Sequence, residues 1–142
     1  MPILAMTPAE IEQFLLLPRH AIAGTNTTEG PPQLSPVWYL YDAGRIFISL
    51  STGTAKYRNL RRDPQISLCV DGCHPDARAV MIYGTVELIA WGEPLERELW
   101  WRIIRHYHDT EEAAQRYAES VREVPSVLAV VTIQKIISQD YN

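Results

Sequence analysis

One stretch constrains this chain more than any other: Ser49-Leu-Ser-Thr-Gly-Thr-Ala-Lys-Tyr-Arg-Asn-Leu-Arg-Arg-Asp-Pro64. It reads as the end of a strand, a hydroxyl-rich turn and a short helix that Pro64 stops, because proline disfavours helical geometry in the residue before it. Ser49, Ser51, Thr52 and Thr54 supply hydroxyls, and Gly53 lets the backbone turn tightly. Lys56 falls where the helix begins. Free N–H groups at a helix start, nearby hydroxyls and one lysine together make a seat for a phosphate-sized anion. The same residues also fit a capped surface helix with a solvated basic face, since Arg58, Arg61 and Arg62 follow.

The flanking chain supplies strands. Thr7-Pro-Ala-Glu10 predicts a helix start, with threonine at the cap, proline in the first turn and glutamate three residues after the cap. Ile11, Phe14, Leu15 and Leu17 give that helix an apolar side, and Pro18 ends it. His20 to Thr25 reads as a strand, and Asn26 to Pro32 as a turn. Leu34 to Tyr41 reads as a second strand, with Pro36 predicting an edge or a bulge because it cannot donate to a ladder. A hairpin turn at Asp42-Ala-Gly44 leads to the strand Arg45 to Ser51. After the short helix come the strand Gln65 to Asp71, the loop Gly72 to Asp76, and a long strand Ala79 to Ala90 with Gly84 as a bulge.

Pro94 opens a helix to about His108, with Leu95, Leu99, Ile103 and Tyr107 on one stripe and Trp100 and Ile104 beside it. Asp109-Thr-Glu-Glu112 restarts a second helix that ends before Pro125. Ser126 to Ile137 is the last strand. About six strands joined mostly by short turns predict a closed antiparallel sheet with helices outside it. The 142 residues suit one domain, 1–142.

A net charge of −4 argues against general nucleic-acid binding. Yet four of the 13 basic residues lie between Lys56 and Arg62, which points to a local anionic ligand. No apolar run approaches the roughly 20 residues that span a bilayer, so no membrane partner is expected. The start Met1-Pro-Ile-Leu-Ala-Met-Thr lacks the pattern of a signal peptide, and two cysteines make no disulfide framework. A cytoplasmic protein is the expectation. Cys69, Cys73 and His74 have no matching second cluster, so no metal site is expected, with Cys69 buried in its strand. Glu93, Glu96 and Glu98 read as a solvated helix face. His106 and His108 are expected on different sides of their helix. Trp100 and Trp101 point in different directions, one toward the core and the other toward a partner or pocket.

Three segments carry a resemblance through their order and spacing along the chain. Thr54-Ala-Lys-Tyr-Arg-Asn-Leu-Arg-Arg-Asp-Pro-Gln-Ile-Ser-Leu-Cys-Val-Asp71 resembles the central motif of the pyridoxamine 5′-phosphate oxidase-like flavin and deazaflavin oxidoreductases. Gly30-Pro-Pro-Gln-Leu-Ser-Pro-Val-Trp-Tyr-Leu-Tyr-Asp42 is similar to the family's preceding strand, and Tyr83-Gly-Thr-Val-Glu-Leu88 to a later one. The resemblance covers about residues 5 to 138.

It implies a mainly β (α+β) fold, a six-stranded antiparallel split β-barrel with flanking helices. It also implies a homodimer with the cofactor in a groove between subunits. Thr54, Ala55 and Lys56 correspond to positions that hold the cofactor phosphate. Pro36, Val37, Trp38, Ser49, Leu50 and Ser51 correspond to those lining the ring system, partly through backbone groups. Pro36 and Thr54 stand where some relatives carry a basic residue, leaving Arg58 or a residue across the dimer to substitute. The implied cofactor is FMN, whose single phosphate suits Lys56, with the deazaflavin coenzyme F-420 as the alternative. The flavin brings its own hydride chemistry, so no acid–base pair is required and the catalytic residues stay unassigned. After Arg122 there is no arginine to grip a substrate as pyridoxamine-phosphate oxidases do. An oxidoreductase acting on an unidentified small substrate, a flavin-storage protein and a barrel kept as an interaction module all remain open.

Overall fold

The computed structural model describes residues 4–142, and its strands form one seven-stranded antiparallel sheet. In chain order the elements are α1 (Pro8–Leu15), β1 (Ala21–Thr25), β2 (Gln33–Val37), β3 (Leu40–Asp42), β4 (Arg45–Ser51), α2 (Ala55–Arg62), β5 (Gln65–Asp71), β6 (Arg78–Ile89), α3 (Pro94–His106), α4 (Glu111–Val121) and β7 (Ser126–Asp140). Across the sheet the strands run β2-β1-β5-β6-β7-β4-β3. No helix among the described residues is long and apolar enough to cross a membrane.

The expected strand Leu34–Tyr41 is two strands, which is why the sheet has seven rather than six. Its halves, β2 and β3, lie at opposite edges of the sheet, joined only by Trp38 and Tyr39. Three Cα steps span at most about 11 Å, so the two edges must approach each other, and the sheet curls into a half-barrel. Tyr39 explains the break. Its ring is buried in the core, its hydroxyl donates to the Leu17 carbonyl at 3.1 Å, and its N–H donates to the Tyr107 hydroxyl at 3.2 Å. A side chain thus takes the backbone donor that a ladder partner would otherwise take.

Other features follow the local chemistry. Pro36 lies on an edge strand. Ala43 and Gly44 both have positive φ, 51° and 78°, which matches the twist of a two-residue hairpin between β3 and β4. The β6–β7 register shifts at Tyr83/Gly84. A Cβ at Gly84 would collide with the Thr132 carbonyl oxygen, so only glycine lets the bulge close on its neighbour. Thr7 and Glu10 form the reciprocal capping box of α1.

The inner face of the sheet carries the main core, with Phe14 and Leu15 of α1 packed on Ile46, Ile48, Leu50, Leu68, Val70, Val80 and Ile82. On the other face of β3, β4 and β7, α3 buries Leu99 and Ile103 against Leu40, Phe47, Leu128 and Val130. Among the described residues, no helix covers the outward face of the remaining strands. A cross-strand row there runs Pro36, Ile22, Cys69, Met81, Ile137, and a second includes Leu34 and Tyr83. Leu34 is 68% exposed and Ile22 40%. Cys69 is exposed on this face rather than buried, because strict alternation along β5 turns Ile66, Leu68 and Val70 inward.

Candidate functional site

The candidate site is the split in the half-barrel. β3 pairs only with Arg45–Phe47, whereas β7 accompanies β4 from Arg45 to Ser51. The far half of β4 therefore has an open edge. In a two-residue hairpin the flanking pair, Asp42 and Arg45, is hydrogen-bonded, and alternation then directs the Ser49 and Ser51 backbone groups toward that open side. The Ser51 carbonyl accepts from the Thr54 N–H at 3.2 Å and from its hydroxyl at 2.7 Å. On the opposite side stands the free edge of β2 with Pro36 and Val37. A cleft of about 580 Å³ lies between them.

Six of the expected residues line this cleft: Pro36, Val37, Trp38, Ser49, Ser51 and Lys56. Leu50, Thr54, Ala55 and Arg58 do not. The Leu50 side chain is buried on the inner face, as alternation along β4 requires. Thr54 is the N-cap of α2, and its hydroxyl accepts from the Tyr57 N–H at 3.4 Å. Ala55 begins the helix, where the Ala55 and Lys56 N–H groups have no intrahelical acceptor. Arg58 reaches back to the Gly53 carbonyl at 3.5 Å. Arg61 lies over the Tyr57 ring, and Arg62 bonds Asn59 and the Asn26 carbonyl. The basic cluster is thus divided, and only Lys56 faces the cleft.

Lys56 is half-buried and makes no ion pair among the described residues. Burial pushes its pKa below the usual lysine value, since no neighbour compensates its charge. A partly desolvated, unpaired ammonium beside free helix N–H groups and serine hydroxyls is a seat for an anion.

Sequence reasoning missed the roof. Trp100, Ile103 and Ile104 of α3, Tyr117 and Val121 of α4, Val124, and the strand-end residues His20 and Ser126 complete the lining. The signal was the pair Trp100 and Ile104, four residues apart, beside the core stripe of Leu99 and Ile103. Trp101 faces elsewhere and borders a shallow depression with Arg102, Arg105 and His106.

Glu96 corrects another expectation, because it is 1% exposed and does not belong to a solvated face. It accepts from Arg97 Nε at 2.7 Å and Nη2 at 2.8 Å, from the Gly92 N–H at 2.9 Å and from the Ser126 hydroxyl at 3.0 Å. Burial would raise its pKa, but these donors together hold it below the usual carboxylate value. Arg97 also lies 4.5 Å over the Trp100 ring. Glu96 and Arg97 therefore brace two cleft residues, Trp100 and Ser126, from behind.

Trp38 is braced as well. It stacks on Tyr107 at 4.9 Å and 9°, while the Tyr107 hydroxyl donates to the Arg19 carbonyl at 2.7 Å. Burial pushes the Tyr107 phenol up to about 12. His108, just past α3, packs edge-on to Trp38 and holds the Ile104 carbonyl through Nδ1 at 2.7 Å.

The family model for pyridoxamine 5′-phosphate oxidase matches residues 7–140, and the chain belongs to this family. Among solved structures, an F-420 reductase is 20% identical, with 88% of this chain and 94% of that one covered and a TM-score of 0.68. A conserved hypothetical protein of Mycobacterium tuberculosis is 26% identical, with 95% and 85% covered and a TM-score of 0.73. A pyridoxamine 5′-phosphate oxidase-related, FMN-binding protein of Nostoc punctiforme is 12% identical, with 95% and 85% covered and a TM-score of 0.69. Membership supports flavin-type binding in general terms.

Proposed function

We propose that the cleft binds FMN, with the phosphate at the start of α2 and the ring system between β2 and β4, and that the protein is a flavin-dependent oxidoreductase acting on a small molecule. The unpaired, half-buried ammonium of Lys56 carries this reading. The residues fit the group: Lys56 and the free Ala55 and Lys56 N–H groups suit a phosphate dianion, and the open edge at Ser49 suits the polar rim of an isoalloxazine. When bound, the flavin supplies hydride and electron transfer; the chain itself binds, orients and shields it.

A single phosphate matches a cleft in which Lys56 is the one free lysine or arginine among the described residues. The deazaflavin coenzyme F-420, with its longer anionic tail, is the second reading, favoured by the F-420 reductase among the similar structures. Arg58, held only by a 3.5 Å contact, is the residue best placed to turn toward such a tail.

The assembly is a homodimer. The bare face that carries Ile22, Leu34, Cys69, Met81 and Tyr83 is continuous with the cleft through Pro36, which belongs to both. A second copy seated there covers apolar surface and closes the β2 side of the cleft. FMN titration of the purified protein tests the cofactor reading: saturable quenching of flavin fluorescence, followed by reversible bleaching on reduction, supports it. Absence of saturable binding by FMN and by coenzyme F-420 overturns it in favour of an interaction module. Light scattering at micromolar concentration should return the mass of two chains.

A further inference from the structure

The aromatic part of the cleft differs chemically from the Lys56 part. Among the described residues lining it there is no aspartate, glutamate or arginine, and Lys56 is the one formally charged side chain. Elsewhere the lining is Trp38, Trp100 and Tyr117 with Pro36 and aliphatic side chains, together with the His20 imidazole and the Ser49, Ser51 and Ser126 hydroxyls. Tyr117 is half-exposed at the mouth, tilted against Trp38 at 5.3 Å and against His108 at 5.2 Å. Its ring is therefore oriented, yet its hydroxyl makes no hydrogen bond among the described residues. An oriented ring with an unused donor costs little further ordering when a ligand arrives.

We infer that the aromatic wall of Trp38, Trp100 and Tyr117 selects a flat, uncharged aromatic molecule as the second ligand of the cleft, with the Tyr117 hydroxyl bonding a polar substituent on it. This rests on the reading that Lys56 holds the cofactor phosphate. Once Lys56 is engaged, a substrate bearing a carboxylate or phosphate finds no second lysine or arginine among the described lining residues and buries its charge against neutral groups. A saturated ring of similar size loses the stacking geometry that the braced indoles offer. A doubly anionic pairing, cofactor phosphate plus substrate phosphate, does not fit this lining.

Three probes separate the terms: 2-naphthol is flat and neutral, 2-naphthoate flat and anionic, and decahydro-2-naphthol neutral but not flat. Each is titrated calorimetrically into FMN-saturated protein and into protein without flavin. The expected result is that 2-naphthol binds the FMN-saturated protein at least about tenfold more tightly than either control. Tyr117→Leu should weaken 2-naphthol binding to the FMN-saturated protein about five- to tenfold, and Tyr117→Phe by less. In the flavin-free protein, where Lys56 is unoccupied, the penalty on 2-naphthoate should shrink. Equal binding of the three probes, displacement of FMN by 2-naphthol, or full 2-naphthol affinity in Tyr117→Leu each overturns the proposal. Should FMN fail to bind at all, the cofactor reading fails separately. The flavin-free titrations then still decide: a Tyr117-dependent preference for 2-naphthol over decahydro-2-naphthol upholds the aromatic subsite, and its absence removes it.

Discussion

Replacing Glu96 by alanine should be among the most costly single changes in the chain. The carboxylate is 1% exposed and accepts four hydrogen bonds, from Gly92, Arg97 (two) and Ser126. Removing one partner of a buried ion pair costs about 3–5 kcal/mol, because the other charge is left without compensation. Arg97 retains 34% side-chain exposure, so its guanidinium can recover some hydration and the lower figure applies. A loss of about 3 kcal/mol lowers the melting temperature of a chain this size by about 10 °C. Glu96→Gln keeps an acceptor of the same shape and should lose about half as much.

The sign with pH is fixed by the depressed native pKa. Below the unfolded value of about 4.3 the unfolded chain takes up the proton first, so stability falls as pH drops through the native value. Urea denaturation between about pH 6 and pH 3 should show a shallower decline for Glu96→Gln than for wild type. Because Ser126 and Trp100 lean on this pair, FMN affinity should fall with the alanine change as well. A destabilisation of Glu96→Ala under about 0.5 kcal/mol, the range of surface substitutions, would show that the Glu96–Arg97 pair contributes nothing to stability.

Gly84→Ala forces a Cβ into the Thr132 carbonyl and should cost about 3 kcal/mol, or yield insoluble protein; unchanged denaturation would show that the bulge can open freely. Asp76 takes a bidentate contact from Arg78 at 2.8 Å and a bond from Asn142 at 3.3 Å, which hold its carboxyl well below the usual range. Asp76→Asn should cost about 1 kcal/mol at neutral pH and nothing at a pH below the native carboxyl value, where that stabilisation is already lost. If the proposed homodimer covers the face that carries Cys69, its alkylation in a Cys73→Ser background should be slow and speed up on dilution; a fast, concentration-independent rate would argue against that interface.

The sequence made most of the frame legible because the signals were local. The Asp42–Gly44 turn, the edge position of Pro36, the bulge at Gly84 and the Thr7 cap each follow from one or two residues whose backbone preferences leave little choice. The break at Trp38–Tyr39 was not legible, since Leu34–Tyr41 has ordinary strand character and Tyr39 leaves the ladder only through contacts with Leu17 and Tyr107, distant in sequence. Glu96 was misread for the same reason: its partner Ser126 lies thirty residues on. The two facing edges of the candidate cleft, Pro36 to Trp38 and Ser49 to Lys56, came from the family resemblance, and only the anion seat at Lys56 was also legible in its own motif. The roof of the cleft came from α3 and α4, whose packing angle no local pattern encodes.

The proposed flavin site depends on Lys56, which is tested by the affinities of FMN and riboflavin for wild-type and Lys56→Ala protein, measured by fluorescence titration at two salt concentrations. Removing the ammonium deletes a charge-assisted contact with the phosphate and leaves the Ala55 and residue-56 N–H groups in place. FMN should bind more weakly by about 1.5–3 kcal/mol, roughly ten- to a hundred-fold, with Lys56→Arg losing less. Riboflavin, which has no phosphate, should be indifferent to both changes, and the loss for FMN should be smaller at high salt. Equal FMN affinity in wild type and Lys56→Ala, or a parallel loss for riboflavin, would contradict the assignment of this cleft as a flavin phosphate site.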